Sequence, residues 1–301
     1  MTDNASTPHA HGTLQLVSRS TYVREWLLAA LFFVCAFFFV LAVALIFVFV
    51  GFKAWPIVTD YGIGKFITGT VWASASNTYG IGPLIAGSFL VTLGALALGT
   101  PLAVGTAVFL SDVASPRVRS FVRPAVELLA GVPSVIYGFF GMVLIRGIVA
   151  RFTGTLGFGA FTGWIVLAIM IVPTIAALSE DALRSVPEGI REASYAMGAT
   201  QWQTIYKVVV PAAKIGIIDA IILGMGRAIG ETMAVLMVVG NAPVFPRGIF
   251  APLSTMTTQI VMDMPYAVGL HRTALFAIAA MLFLFSMLLV ASVRLLSRMR
   301  G

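Results

Sequence analysis

Long runs with few or no charged residues constrain this chain more than any other feature of its sequence. A helix needs about 20 apolar residues to cross the roughly 30 Å hydrocarbon core of a bilayer. Runs of this kind are found at positions 26–52, 84–110, 125–145, 152–179, 215–240 and 273–293. Charged residues make up 10% of the 301 positions and apolar residues 59%, whereas an ordinary soluble domain is about 25% charged. The composition excludes a conventional soluble enzyme and predicts an all-α integral membrane protein with six transmembrane helices.

The short connections between these runs carry an asymmetric distribution of positive charge. With the N-terminus placed inside, twelve Lys and Arg residues fall in the inner connections and tails and six in the outer ones. Because positive residues are retained on the cytoplasmic side, this bias predicts that both termini are cytoplasmic. The net charge of +7 is explained by this topology, so we expect contact with membrane lipid and no nucleic acid.

The sequence contains no pattern typical of a catalyst. ATP hydrolysis needs a glycine-rich loop of the form G-x-x-x-x-G-K-[ST] to hold phosphates, and none of the four lysines lies in such a loop. H-E-x-x-H and G-x-S-x-G are also absent, and the single cysteine, Cys35, excludes an internal disulfide and a thiolate metal cluster. We expect no catalytic residue, no metal and no cofactor.

A polar segment at positions 180–214 is the longest on the predicted inner side. It contains Glu192, Ala193 and Ser194, followed by Gly198 and, after an apolar stretch, by Pro211. The pattern predicts a short amphipathic helix that ends at the glycine, where a positive φ is favoured. Pro211 suits the first turn of the following helix.

The spacing in this segment resembles the EAA loop of ATP-binding-cassette (ABC) importer permeases. That loop reads Glu-Ala-Ala, three residues, Gly, nine residues and Ile-x-Leu-Pro, and the spacing here matches at every position. Ser194 replaces the third residue, and Val208 and Val210 replace Ile and Leu. These replacements are small or nearly isosteric. In that family the loop docks on the ATPase, so the resemblance implies this role for residues 180–214.

Two further stretches are similar to phosphate-specific ABC permeases. They are E-L-L-A-G-V-P-S-V-I-Y-G-F-F-G at 127–141 and G-M-G-R-A-I-G-E-T-M-A-V at 224–235. With Gly240-Asn241, they most resemble the PstC type of subunit rather than the PstA type. The resemblance implies a type I ABC importer permease of the bacterial cytoplasmic (inner) membrane that carries inorganic phosphate. It also implies a PstA-like second permease subunit as heterodimer partner, a PstB-like cassette ATPase and a PstS-like periplasmic phosphate-binding protein.

The same resemblance implies a division of the chain. We expect a cytoplasmic N-terminal tail at 1–25, a first transmembrane helix with a periplasmic segment at 26–83, a permease core at 84–296 and a cytoplasmic C-terminus at 297–301.

The fifth apolar run, 215–240, carries charges where the bilayer is deepest. If it is one helix, its midpoint is Arg227, and a charge there costs roughly 2.5–3.5 kcal/mol on insertion scales. Glu231 lies four residues further on, within reach of Arg227, so a structural ion pair is one interpretation. The other is a fixed cation for an oxyanion pathway that includes Arg227, Glu231 and Thr232, with Glu231 holding the arginine in place.

Other functions agree with parts of this pattern. The cargo could be another oxyanion or a small nutrient. In a different class, Asp219, Arg227 and Glu231 could form the proton relay of an ion-coupled secondary transporter, and a membrane scaffold without a pathway is a third alternative. The segment 180–214 favours the ATP-driven permease, because the other classes need no ATPase dock.

Prolines and small residues within the runs indicate helix bends and close packing. Pro101, Pro133 and Pro173 each fall inside an expected helix, and a proline there removes a backbone hydrogen bond and kinks the chain. We expect Pro133, with Ser134 beside it, to shape the pathway. Small residues mark helix–helix contacts in lipid, and they are abundant in the run 84–110 and recur at Gly226 and Gly230.

Overall fold

The computed structural model describes residues 19–299. Most of the expected N-terminal tail (1–18) and the last two residues of the expected C-terminal segment lie outside the described residues. The chain divides into two compact units, residues 1–49 and 50–301. The described part of the first unit is the N-terminal portion of one helix, and the packing and the candidate site described below belong to the second.

The described chain is almost entirely helical. The helices are α1 (Arg19–Pro56), α2 (Ile63–Thr68), α3 (Gly82–Val108), α4 (Pro116–Ala130), α5 (Ser134–Phe140), α6 (Arg146–Thr153), α7 (Ala160–Arg184), α8 (Glu188–Ala196), α9 (Gln201–Thr204), α10 (Val210–Ala212), α11 (Lys214–Gly230), α12 (Met233–Val238), α13 (Met256–Asp263) and α14 (Gly269–Met299). Four π-helical turns continue or join them, at Ile57–Gly62, Phe109–Val113, Gly141–Ile145 and Ile205–Val209. A 3₁₀ turn (Ser74–Ser76) joins two short strands, β1 (Trp72–Ala73) and β2 (Thr78–Tyr79).

Within residues 19–299, five helical stretches are long and apolar enough to cross a membrane. They are Arg24–Thr68, Gly82–Val113, Ser134–Thr153, Ala160–Arg184 and Gly269–Val293. A sixth span results if Gln201–Ala212 and Lys214–Gly230, which meet at an angle of 69°, form one broken span. The predicted all-α membrane fold is confirmed. Each of the six predicted runs overlaps one of these stretches, and the boundaries differ at the third and fifth runs.

The third and fifth predicted spans were wrong in their boundaries. The third begins at Ser134, because residues 116–130 form a separate amphipathic helix, α4, and a turn intervenes. Arg146 and Arg151, expected in an outer connection, therefore lie in helix α6 within this span. The fifth is not continuous from 215 to 240, since α11 ends at Gly230 and α12 begins at Met233.

Helices α3 and α7 pack tightly along most of their length and form the centre of the bundle. A methyl group added to Gly94 would overlap the indole of Trp164, whose Nε1 donates to the Leu90 carbonyl at 2.8 Å. One turn or more further along, Gly99 faces the Ile171 side chain, which is fully buried. The glycines of α3 therefore set the distance between these helices, as small residues do in lipid.

Not all predicted packing glycines have this role. A Cβ at Gly226 or Gly230 would find no atom of the described chain within 4 Å, and both residues are exposed. Gly224 on the same helix does pack, since a Cβ there would meet the Ile175 side chain at 2.5 Å. The prediction of close packing at Gly226 and Gly230 is wrong within this chain, because both lie on the face of α11 that points away from α7.

A polar cluster closes the end of the bundle where α3 begins. The hairpin pairs Trp72 with Tyr79. Asp263, at the end of α13, accepts hydrogen bonds on its Oδ2 from Trp72 Nε1 at 2.9 Å and Gln259 Nε2 at 2.8 Å. The His271 Nε2 lies 3.0 Å from the same oxygen, and its ring stacks on Tyr79. One carboxylate thus joins the hairpin, α13 and α14.

Candidate functional site

The helix break at Glu231 lies in the middle of the predicted fifth span. Glu231 has an extended backbone (φ −69°, ψ 128°), and its carbonyl accepts a hydrogen bond from Thr257 Oγ1 at 3.0 Å. Its side-chain Oε1 accepts from the backbone N–H of Ala234 at 3.1 Å, in the first turn of α12. Thr232 Oγ1 donates to the Gly230 carbonyl at 3.2 Å. The side chains of Glu231 and Thr232 thus satisfy backbone groups that the break exposes.

Arg227 lies in the last turn of α11 and contacts two other helices. Its Nη1 donates to Thr174 Oγ1 of α7 at 3.0 Å, and Nη1 and Nη2 both lie 3.4 Å from the carbonyl oxygen of Ala130. Ala130 is the last residue of α4, where the unpaired carbonyls carry partial negative charge. The guanidinium is therefore held by neutral oxygens at the junction of α4, α7 and α11.

The expected contact between Arg227 and Glu231 is not present among residues 19–299. No ion pair joins them there, and the Glu231 carboxylate instead binds the N-terminus of α12. The expectation assumed a continuous helix, in which residues i and i+4 share a face. Because α11 ends at Gly230, that geometry does not apply.

Pro133 and Ser134 lie at a second break, between α4 and α5. Pro133 has an extended backbone (φ −57°, ψ 136°) directly before α5, and Ser134 is the first residue of that helix. Pro133 therefore ends a turn and does not kink a helix, contrary to the expectation, whereas Pro101 and Pro173 do lie inside α3 and α7. The turn at Pro133 is close in space to the helix break at Glu231. Ala130, three residues before Pro133, accepts a hydrogen bond on its carbonyl from Arg227, which lies four residues before Glu231.

The predicted coupling segment, residues 180–214, has the expected helix and glycine turn. Helix α8 ends at Ala196, and Gly198, two residues further on, has a φ of +82°. The N–H of Gly198 donates to the Tyr195 carbonyl at 2.9 Å, and the N–H of Ala199 donates to the Ser194 carbonyl at 3.2 Å. This pair of bonds is a Schellman motif, in which the residue at the position of Gly198 has left-handed geometry. The prediction of a positive φ at Gly198 is confirmed.

Hydrogen bonds connect α8 to the helices around it. Ser194 Oγ lies 2.9 Å from the buried Thr204 Oγ1 of α9. Arg191 forms an ion pair with Asp112 in the π-helical turn that follows α3, and its Nη2 donates to the Leu183 carbonyl of α7 at 2.9 Å. Gln201 Nε2 donates to the Asp112 carbonyl at 2.8 Å. Side chains of α8 and α9 thus contact the π-helical turn that follows α3 and the end of α7.

The outer face of the coupling segment is exposed and partly apolar. Glu192 and Ala193 are exposed. The exposed large apolar and aromatic side chains of the segment are Ile190, Tyr195, Met197, Trp202 and Tyr206. These apolar side chains are left uncovered by the described chain. Pro211 lies in the short helix α10, next to its last residue Ala212. The chain then bends by 69°, and the next long helix, α11, begins only at Lys214, so the prediction that Pro211 stands in the first turn of that helix is wrong.

Residues 99–300 match the family described as "Binding-protein-dependent transport system inner membrane component". The chain belongs to this family. It is 38% identical over 274 residues to the "Probable ABC transporter permease protein YqgH" of Bacillus subtilis, covering 88% of each chain. It is 34% identical over 281 residues to the "Phosphate transport system permease protein PstC" of Pasteurella multocida, covering 87% of this chain and 88% of that one. This permease is thus an integral component of the inner membrane.

A solved structure supports the same fold. The chain superposes on a subunit of "a bacterial ABC transporter involved in the import of the acidic polysaccharide alginate" with a TM-score of 0.63 at 16% identity. The match covers 93% of this chain and 97% of the other. The permease therefore has the type I ABC importer fold. Like other members of its family it is a non-catalytic membrane component, and ATP hydrolysis takes place in a separate subunit.

Sequence reasoning missed a charged network at the end of the bundle that carries the coupling segment. Arg123 of α4 contacts Glu127 at 3.0 Å, Glu180 at 3.4 Å and Asp181 at 2.9 Å. Glu180 is 1% exposed and is also 3.5 Å from Arg184. The pKa of Arg123 is raised. The hydrogen bond with Glu127 is the largest cause, and the nearby carboxylates of α7 add to it, whereas burial acts in the opposite direction. The network fixes α4 to α7, the helix that leads into the coupling segment.

The Arg191–Asp112 pair was also missed. In the sequence, Asp112 can be recognised only as the first charged residue after the second apolar run. Nothing there points to Arg191 as its partner, because Arg191 lies 79 residues further along the chain. No cluster of three or more His, Cys, Asp or Glu side chains suited to a metal occurs among the described residues.

Proposed function

We propose that this permease is a transmembrane subunit of an ATP-driven importer for inorganic phosphate, in which it forms half of the translocation pathway. The observation that carries the ATP-driven mechanism is the coupling segment. It presents exposed apolar side chains, and Arg191 binds it to Asp112 and to the Leu183 carbonyl of α7. An ion-coupled transporter has no need of such a surface. The choice of phosphate rests on the relatives named PstC, which are similar to this chain over most of its length.

The partners follow from the family. As a component of a binding-protein-dependent transporter, the permease works with an ATPase and a substrate-binding protein. More specifically, we propose a PstA-like permease as its heterodimer partner, a PstB-like ATPase on the coupling segment and a PstS-like protein that delivers phosphate. We also propose the division given by the sequence, with the permease core at 84–296; the family match covers residues 99–300.

We propose that phosphate passes the two helix breaks. Arg227 provides the positive charge at the helix breaks. The groups to which it donates, Thr174 Oγ1 and the Ala130 carbonyl, are neutral. Since no carboxylate neutralises it among residues 19–299, its charge can attract an anion, and the guanidinium fork fits phosphate oxygens. Gly226 and Gly230 leave the adjoining surface of α11 open.

The other proposed pathway residues support this arrangement. Glu231 and Thr232 hold the break open by binding its free backbone groups, and Pro133 with Ser134 forms the facing turn. In this scheme tight binding belongs to the external protein, so Arg227 lowers a barrier and does not create a strong site.

The test is reconstitution of the permease with its partner permease, ATPase and binding protein in liposomes. We expect phosphate with its binding protein to stimulate ATP hydrolysis. Stimulation by another oxyanion but not by phosphate would reassign the cargo. ATP-independent uptake driven by a proton gradient would instead favour a secondary transporter.

A further inference from the structure

The hydroxyl of Thr174, in the interior of α7, does not make the hydrogen bond that other helical threonines of this chain make. Four of them donate to the backbone carbonyl four residues earlier, namely Thr68, Thr106, Thr153 and Thr273. This bond is common for a threonine in a helix. Thr174 instead accepts a hydrogen bond on its Oγ1 from Arg227 Nη1 at 3.0 Å. Its hydroxyl is therefore directed at the neighbouring helix α11 and not at its own backbone.

The proton of this hydroxyl has no acceptor within residues 19–299. A threonine hydroxyl has one O–H donor and two lone pairs, and the bond from Arg227 occupies one lone pair. Within the described chain Thr174 Oγ1 makes no second hydrogen bond. Thr174 and Arg227 are both partly exposed, so this pair is not sealed inside the bundle. An accessible donor thus lies directly beside the guanidinium.

The sequence around Thr174 gives no packing reason for a hydroxyl. Positions 164–178 of α7 contain no other hydroxyl and no charged residue. The neighbours Ile171 and Ile175 are fully buried. Valine has nearly the shape of threonine, and it would avoid the cost of placing a polar group in an apolar stretch. The hydroxyl is therefore best explained by what it binds.

We propose that Thr174 binds the transported anion together with Arg227. The guanidinium contributes its N–H groups and the threonine its O–H, and both donate to oxygens of the same oxyanion. Hydrogen bonds to an ionised acceptor are stronger than those between neutral groups. The inference rests on the proposed function, because it takes the anion at Arg227 to be the cargo in transit.

The other contact of the guanidinium is one that an anion can replace. Nη1 and Nη2 lie 3.4 Å from the Ala130 carbonyl, which is longer than the usual 2.7–3.2 Å of such bonds. The contact with Thr174 is the shorter one and stays in place when the anion binds. The anion then lies against α7 and α11 at once, and Thr174 both orients Arg227 and adds a donor.

The experiment uses the complete transporter in liposomes, with ATP in the lumen and the binding protein with radiolabelled phosphate in the medium. Thr174→Val removes the hydroxyl and keeps the shape of the side chain. We expect the maximal rate of phosphate uptake to fall about tenfold, because the anion loses one donor and Arg227 loses its nearest acceptor. The phosphate concentration for half-maximal uptake should not change, since the binding protein captures the anion.

Two further variants separate the hydroxyl from the fold. Thr106→Val is the matched control, because Thr106 is also a partly exposed threonine within a membrane helix, and its hydroxyl donates to the Leu102 carbonyl of the same helix. We expect it to keep nearly the full rate of uptake. Thr174→Ser retains the hydroxyl and should retain most of the uptake. Assembly with the partner subunits and the unfolding midpoint in detergent should be normal in all three variants.

Equal uptake by Thr174→Val and Thr106→Val would overturn the inference. So would a Thr174→Ser variant as slow as Thr174→Val, because the hydroxyl would then not be the cause. A Thr174→Val variant that changes only the half-maximal phosphate concentration would place the effect at delivery and would also overturn it. Loss of uptake in Arg227→Gln would leave the proposed pathway intact in each of these cases, whereas normal uptake by Arg227→Gln would refute the pathway itself.

Discussion

Gly198 is the position where a single side chain should separate the permease from its ATPase. Its φ of +82° lies in the left-handed region, and a Cβ there would meet no atom of the described chain within 4 Å. A substitution therefore introduces no clash with residues 19–299, and its effect comes from the backbone alone. For an L-residue this conformation costs about 1–2 kcal/mol, and more for a β-branched one.

We expect Gly198→Val to open the turn that ends α8. A cost of 1–2 kcal/mol corresponds to a factor of roughly 5–30 in the population of the native turn. The two bonds of the turn, from Gly198 to Tyr195 and from Ala199 to Ser194, would be lost together. The variant should insert in the membrane at the normal level, co-purify poorly with the ATPase and lose phosphate uptake.

Two variants test whether the backbone angle is the cause. Gly189 lies in α8, has an ordinary helical φ and is equally open, so Gly189→Val should leave uptake nearly unchanged. Asn tolerates the left-handed region better than other L-residues, so Gly198→Asn should retain much of the uptake. Normal uptake and normal co-purification of Gly198→Val would refute the reasoning. A Gly198→Asn variant as defective as Gly198→Val would show that backbone geometry is not the cause.

Further predictions concern the helix break, the packing and the polar cluster at the opposite end of α3. Arg227→Gln should abolish phosphate uptake with normal insertion and assembly, because it removes the charge that attracts the anion. Glu231→Gln should impair uptake less, since its amide oxygen can still accept from the start of α12; both are measured as uptake in reconstituted vesicles. Gly94→Ala should destabilise the bundle by about 1–3 kcal/mol through overpacking, whereas Gly226→Ala should not, as thermal unfolding in detergent would report. Asp263→Ala should lower the same unfolding midpoint, because one oxygen loses three hydrogen-bonding partners and such bonds to charged groups contribute about 1.5–3 kcal/mol each.

Each of these predictions has an outcome that contradicts it. Normal transport by an Arg227→Leu, Glu231→Leu double variant would mean that both residues are structural. Equal unfolding midpoints for Gly94→Ala and Gly226→Ala would contradict the packing of α3 on α7. An unchanged midpoint for Asp263→Ala would mean that its three contacts contribute little.

The sequence alone determined the membrane fold and the coupling segment, for local reasons. Apolar runs of about 20 residues must be helices in lipid, because no water is available there for backbone groups. The positive φ at Gly198 could be predicted because the helix before it, the glycine and the apolar stretch after it lie within one short stretch of sequence.

Tertiary structure decided the breaks and the partners of the charged residues. Glu231 follows a helical sequence with no local stop signal stronger than Gly230, and its carboxylate and carbonyl find their partners on α12 and α13. Arg227 binds Ala130, which lies 97 residues away, rather than the carboxylate four residues along the chain. Contacts of this kind depend on which helices pack together, and hydrophobicity and spacing specify the helices but not their neighbours. The pairing of Arg191 with Asp112 is decided in the same way, since a buried charge is stable only where the folded bundle brings a partner to it.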